Sequence, residues 1–113
     1  MSGDPPPRRT VALGAPLAWI VVQDHSLEGQ VFPIEPGVVI GKDGYANIRL
    51  PARECAASAE FQYGELQGAK RWFLRVREGV VNMNDSAALV GEHGLTDGDL
   101  VDLGGCPVVF KSL

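Results

Sequence analysis

Ser58-Ala-Glu-Phe-Gln-Tyr63 and, a few residues later, Arg71-Trp-Phe-Leu-Arg-Val-Arg77 decide the fold. In the first stretch Ala59, Phe61 and Tyr63 alternate with Ser58, Glu60 and Gln62. In the second, Trp72, Leu74 and Val76 face one way, and Phe73 and the arginines the other. Successive side chains leave a strand on opposite faces, so a period of two marks half-buried strands.

Outward from this pair the chain reads as further short strands between turns. Leu17 to Gln23 is β-branched and apolar, and Asp24 to Gly29 closes it with a turn or loop. Gln30-Val-Phe-Pro-Ile34 sets Val31 and Pro33 against Phe32 and Ile34, and Glu35-Pro36-Gly37 turns into Val38 to Ile40. Asn47-Ile-Arg-Leu50 places Ile48 and Leu50 on one face. Val80 to Met83, Ala87 to Val90, Leu100 to Leu103 and Pro107 to Lys111 complete the set. No stretch keeps a helical apolar period over three turns. About ten short strands at a spacing near ten residues predict an all-β chain, a two-sheet antiparallel β-sandwich. Its expected core is Trp19, Ile40, Ile48, Leu50, Phe61, Trp72, Leu74 and Phe110.

Composition agrees. A chain of 113 residues, 45% hydrophobic and 21% charged, suits one ordinary globular domain rather than disorder. Its 14 Gly and 8 Pro imply many turns and argue against a helical bundle. The formal net charge of −4 argues against nucleic acid as a partner, because phosphate contacts need the opposite balance. Residues 1–16 are read as a flexible Pro-rich leader and residues 17–113 as the domain. Arg8 and Arg9 precede an apolar run, but Gly14 and Pro16 interrupt it and no small-x-small cleavage pattern follows. The run is also too short for membrane insertion, so a cytoplasmic location is expected. Cys55 and Cys106 form no CxxC pair and share no spacing with His25 or His93, which leaves no metal set and no cofactor site. The two thiols are expected to stay reduced.

Enzymatic motifs are missing: there is no GxSxG, HExxH, P-loop or GxGxxG pattern. Asp97-Gly98-Asp99 has part of a calcium loop but not its other carboxylates, and is read as a tight turn before a strand. A thiol reaction at Cys55 needs a low pKa and exposure; Arg53 favours it, Glu54 opposes it, and no sequence-adjacent His supplies a base. The chain is therefore expected not to be an enzyme.

Three pieces in order, Val39-Ile-Gly-Lys42, Asn47-Ile-Arg-Leu50, and Leu95-Thr-Asp-Gly-Asp-Leu-Val-Asp-Leu-Gly104 with Val108-Val-Phe110, resemble a forkhead-associated (FHA) domain. That family's pattern is Ile-Gly-Arg, Asn-Asp-Ile-x-Leu, Ser-x-x-His-Ala, an Asn-Gly loop, and Leu-x-Asp-Gly-Asp before a final hairpin. The resemblance spans Leu17 to Phe110 and implies a β-sandwich of about eleven strands whose loops at one end bind partners, often phosphothreonine peptides. Phosphate carries up to two charges and strong acceptors, so arginines and hydroxyl donors recognise it.

At those positions this sequence departs from the family. Gly41 is kept, but Lys42 follows it, retaining the charge without the planar fork of arginine. With a one-residue gap Cys55 stands for the phosphate-binding serine, and a thiol is a poor donor; without the gap the position is Ala56. Ala56 also stands where many members carry a second arginine, and Ser58 replaces the bracing histidine. The Asn-Gly pair falls at Glu78-Gly79, or, shifted, at Asn84-Asp85. Asn82 is included with these candidate peptide-binding loops. The resemblance thus implies a degenerate FHA domain, a protein-interaction module that binds a protein or peptide partner independently of phosphothreonine. The alternative is weak binding of a phosphothreonine-containing peptide through Lys42 and Arg53.

Overall fold

The computed structural model describes residues 14–42, 44–51, 53–84 and 89–113. Ten strands are found there: β1 (Ala18–Val22), β2 (Val31–Ile34), β3 (Val39–Gly41), β4 (Ile48–Arg49), β5 (Ser58–Leu66), β6 (Ala69–Glu78), β7 (Val81–Met83), β8 (Glu92–Gly94), β9 (Leu100–Leu103) and β10 (Pro107–Ser112). They form two five-stranded sheets, ordered β2-β1-β10-β9-β7 and β4-β3-β5-β6-β8. The expected all-β sandwich is the observed architecture. Most of the leader, residues 1–13, lies outside the described residues.

The β5–β6 hairpin is the longest pairing, running from Ser58↔Glu78 to Leu66↔Ala69 with one register shift at Ser58/Ala59. Its inward residues Phe61, Trp72 and Leu74 meet Phe110 and Ile20 of the other sheet in one buried cluster. Phe61 stacks on Phe110 with centroids 6.1 Å apart, and Trp72 meets Phe110 edge to face at 6.1 Å, so two aromatic pairs bridge the two sheets. Burying such a side chain contributes about 1.5–3 kcal/mol, and a ring pair adds about 0.5–1.5 kcal/mol beyond its area.

Three differences from the sequence expectation have physical causes. One pair is parallel rather than antiparallel: β4 lies alongside β3 with Ile40↔Ile48 and Gly41↔Arg49. Asn47 sets this up, since its Oδ1 accepts from Val39 N at 2.8 Å and its own N–H donates to Val39 O at 2.9 Å. Trp19 is not in the buried core: the inward residues of β1 are Ala18, Ile20 and Val22, and Trp19 sits half-buried on the outer face opposite Pro33 and Lys111. Because β1 is apolar on both faces, alternation alone does not say which face is inner. Finally, the strand expected over 87–90 is displaced. Residues 87 and 88 lie outside the described residues, Leu89 and Val90 are not in a strand, and the edge strand is Glu92–Gly94. It pairs with β6, where Arg75 Nη2 binds Glu92 Oε2 at 2.6 Å.

Candidate functional site

The residues that converge are held at one end of the sandwich by the register of three strands. Gly41 of β3 pairs with Ser58 of β5, and Ser58 pairs with Glu78 of β6. The segment 55–58 therefore lies in a trough, with neighbouring loops pressed against it. A Cβ on Gly79 would stand 2.3 Å from Ala56 O, and one on Gly41 2.3 Å from Ala57 O. A Cβ on Gly104 would stand 2.9 Å from the Ala56 backbone. Gly79 also has φ +79, a conformation that a Cβ disfavours. Three glycines, one ending β3 and two in loops, thus let backbone approach backbone, with Lys42 N donating to Ala57 O and Ala56 N to Gly104 O.

This packing decides which side chains reach the surface. The Cys55 thiol points inward, towards Ala57 O (3.2 Å) and Leu103 O (3.0 Å), and is 1% exposed. Burial pushes its pKa up; a backbone hydrogen bond with Ala57 and the charge of Lys42 oppose this, and Asp102 adds to it. Cys106 is buried too and is pushed up to about 11, chiefly by burial and then by neighbouring Cys55 and Glu54. Both cysteines are free. Cys55 thus lacks the exposure and the low pKa that a reactive thiolate needs. Ser58 is fully buried beneath Gly41.

At the surface, Lys42 Nζ lies 3.3 Å from Glu78 Oε2. Beside it a groove of about 440 Å³ is lined by Lys42, Arg49, Leu27, Leu50 and Pro51. Arg49 is the residue that the sequence reading missed. Its signal was present: Ile48 and Leu50 face inward, so Arg49 faces out, and parallel pairing places it next to Gly41-Lys42. Arg53 is exposed but does not line this groove. The β1–β2 loop closes one side, where Ser26 Oγ donates to Glu54 Oε1 at 2.9 Å and His25 Nε2 to Gly105 O at 2.7 Å.

Of the expected site residues, Gly41, Lys42, Cys55, Ala56, Ser58, Glu78 and Gly79 are thus brought together. Asn84 is not. Asn82 lies within β7 opposite Asp102. Asn84 is at the far end of that strand, where its Nδ2 donates to Asp99 Oδ1 and its Oδ1 accepts from Leu100 N. Of the shifted placement at Asn84-Asp85, Asp85 lies outside the described residues. Asp97-Gly98-Asp99 is a turn stapled by its own carboxylates, Asp99 Oδ2 accepting from Thr96 N and Asp97 Oδ1 from Ser112 N. Among the described residues no group of His, Cys, Asp and Glu is arranged to hold a metal ion, and no helix is long and apolar enough to cross a membrane.

No family model matches the chain, and no curated protein matches it in sequence. Solved structures match its fold. An FHA domain described for phosphothreonine-dependent interactions is 22% identical, with a TM-score of 0.65 over 86% of this chain and 97% of that one. The FHA domain of an Arabidopsis thaliana hypothetical protein is 17% identical, with a TM-score of 0.66 over 88% and 87%. The FhaA FHA domain, complexed with the intracellular domain of Rv3910, is 21% identical, with a TM-score of 0.63 over 83% and 99%. The chain has an FHA-like fold.

Proposed function

We propose that this FHA-like domain is a non-enzymatic interaction module whose loop end binds a protein partner without requiring phosphothreonine. The observation that carries the proposal is the ion pair of Lys42 with Glu78. Lys42 follows the glycine where the FHA pattern has arginine, and a carboxylate of the same chain already neutralises it. A solvent-exposed pair of this kind contributes only about 0–1 kcal/mol to stability. Its larger effect is on an incoming anion: a phosphate charge about 4 Å from the Glu78 carboxylate is repelled by about 1 kcal/mol in water, and by more as solvent is excluded. Nearby, the Cys55 thiol and the Ser58 hydroxyl are both turned inward. Leu27, Leu50 and Pro51 give the groove an apolar floor instead. FhaA, one of the fold's neighbours, is complexed with a protein domain, and the same class of partner suits this surface.

The test is affinity capture from the native cell with the purified domain, with and without phosphatase treatment of the extract. Recovery of the same partners in both is expected. Partners lost on phosphatase treatment would overturn the proposal.

A second reading rests on Arg49. With Lys42 it gives the groove two cations and no lining carboxylate, an arrangement able to take a phosphothreonine peptide weakly. These two, rather than Lys42 and Arg53, would be its phosphate ligands. Titration with a phosphothreonine peptide library distinguishes the readings, since binding abolished by Lys42→Ala and Arg49→Ala would support the second and flat titrations would reject it. We place the domain in the cytoplasm as a module of a signalling or scaffolding assembly, a reading that two free, buried thiols support.

A further inference from the structure

The end of the sandwich remote from these loops carries a second cleft, of about 510 Å³, between the β5–β6 hairpin and the chain's entry into β1. Eight residue steps along β5 separate Ser58 at one end from Leu66 at the other, about 26 Å at the usual rise. Tyr63 and Trp72 form an aromatic wall, meeting edge to face at 5.6 Å, and Trp72 Nε1 donates to Pro16 O at 3.2 Å. Lys70 and Arg71 line the same cleft.

These two cations, like Arg49 of β4, differ from four others. Lys42, Arg75, Arg77 and Lys111 each lie within 4 Å of a carboxylate, at Glu78, Glu92, Glu60 and Asp97 respectively. Among the described residues, Lys70 and Arg71 have no such partner. Arg71 is nonetheless fixed in place. Its guanidinium lies over Gly94, where a Cβ would come within 2.4 Å of Cζ and 2.6 Å of Nε. The Nε–Nη2 edge, the edge that grips a carboxylate side-on, makes only a 3.4 Å bond from Nη2 to Leu95 O. Nε is buried with no hydrogen-bond partner. A buried donor left unmatched is unfavourable, and an acceptor supplied by a ligand removes that cost. Of the acidic side chains at the cleft, Asp97 is already committed to Lys111 at 3.4 Å and to Ser112 N at 2.9 Å, and Glu65 stands opposite Lys70 across the hairpin.

We propose that this cleft is a second peptide-binding site that takes an acidic segment, with its carboxylate on Arg71 and Lys70 and the adjoining apolar side chain against Tyr63 and Trp72. Charge complementarity selects the acid, and the planar fork seated on glycine selects a carboxylate over a diffuse anion. The site is independent of the loop-end reading.

The test uses the full chain, labelled with 15N, titrated with acetyl-Leu-Glu-Glu-Leu-amide and with its Gln-Gln counterpart. The Arg71 Nε–H and Trp72 indole resonances are expected to shift saturably with the Glu peptide, with the Gln peptide at least about tenfold weaker. Arg71→Gln and Lys70→Gln should each weaken binding several-fold. Gly94→Ala, which keeps every charge and displaces the guanidinium, should weaken it comparably, so the result does not depend on one variant folding. Lys42→Gln and Glu78→Asn should leave it unchanged, which separates failure here from failure of the loop-end proposal. No saturable shift at millimolar peptide, equal binding of the Gln peptide, or inorganic phosphate binding as tightly as the Glu peptide would each overturn the assignment.

Discussion

Lys42 and Glu78, 36 positions apart in the chain, are joined at 3.3 Å because β5 lies between β3, which ends just before Lys42, and β6, which ends at Glu78. Gly41 faces Ser58 across one side of β5, and Glu78 faces it across the other. The pair therefore spans the trough that holds residues 55–58, and any ligand docking over that trough meets a cation and an anion together.

Removing the anion should reveal the cation. Glu78→Asn is expected to raise the affinity for a phosphothreonine peptide several-fold over a weak or undetectable native value. Interactions between exposed charges are screened over about 8–10 Å at physiological salt, so the gain should diminish as salt rises. Fluorescence anisotropy at two ionic strengths measures both effects. An unchanged affinity would mean that Glu78 does not govern access to Lys42. Ser58→His, which would restore the family's brace, is expected instead to destabilise the fold, because Ser58 is fully buried and Gly41 packs directly on its Oγ.

Two glycines with positive φ should respond very differently to substitution. Gly98 has φ +96 and nothing within 4 Å of an added Cβ, so Gly98→Ala meets only backbone strain, about 1 kcal/mol. Gly79 has φ +79 and Ala56 O at 2.3 Å from an added Cβ, so Gly79→Ala adds a backbone clash to that strain. Thermal melts should place the Gly79 variant below the Gly98 variant by several degrees, given about 4 °C per kcal/mol for a domain of this size. Equal shifts would contradict the trough packing.

What the sequence disclosed, and what it hid, follows from how each feature is encoded. The β5 and β6 alternation is local and visible, since polar and apolar residues take turns on a strand with one wet face. Trp19 was hidden because its strand is apolar on both faces, and β8 because Glu92-His93-Gly94 has no strand signature of its own and pairs only because β6 offers an edge. Gly41 and Gly79 were legible as motif positions. Arg49 required the parallel β3–β4 pairing, and the Lys42–Glu78 contact required the register of three strands, neither of which is a property of neighbouring residues.

Asn47 should be worth more than an exposed loop residue. Its side chain supplies the acceptor for Val39 N at 2.8 Å, in place of a backbone carbonyl, at the point where two-residue β4 joins β3. Asn47→Ala leaves that N–H without its partner and is expected to cost about 1–2 kcal/mol by denaturant unfolding. Hydrogen exchange should show faster loss of protection at Val39 and Leu50 than at Ile20 in the other sheet. Uniform exchange across both sheets would count against a local staple.

The buried thiols predict a stability that falls in alkali. Burial opposes the thiolate and pushes Cys106 up from the ordinary 9.0 to about 11 in the folded chain, and Cys55 is raised for the same principal reason. Between those values the folded protein binds more protons than the unfolded chain, so the slope of unfolding free energy with pH is negative. The contribution is fully present below pH 9 and is lost as pH rises towards 11. Other groups titrate in the same range, so the comparison is with Cys106→Ala, whose stability should fall less steeply over that window even though its absolute stability is lower from the lost core volume. The same burial predicts slow alkylation of both thiols at pH 8, accelerating sharply in denaturant. Parallel pH profiles for the two proteins, together with native alkylation as fast as free cysteine, would show that the thiols are solvent-accessible and that the packing of residues 55–58 against the β9–β10 hairpin is wrong.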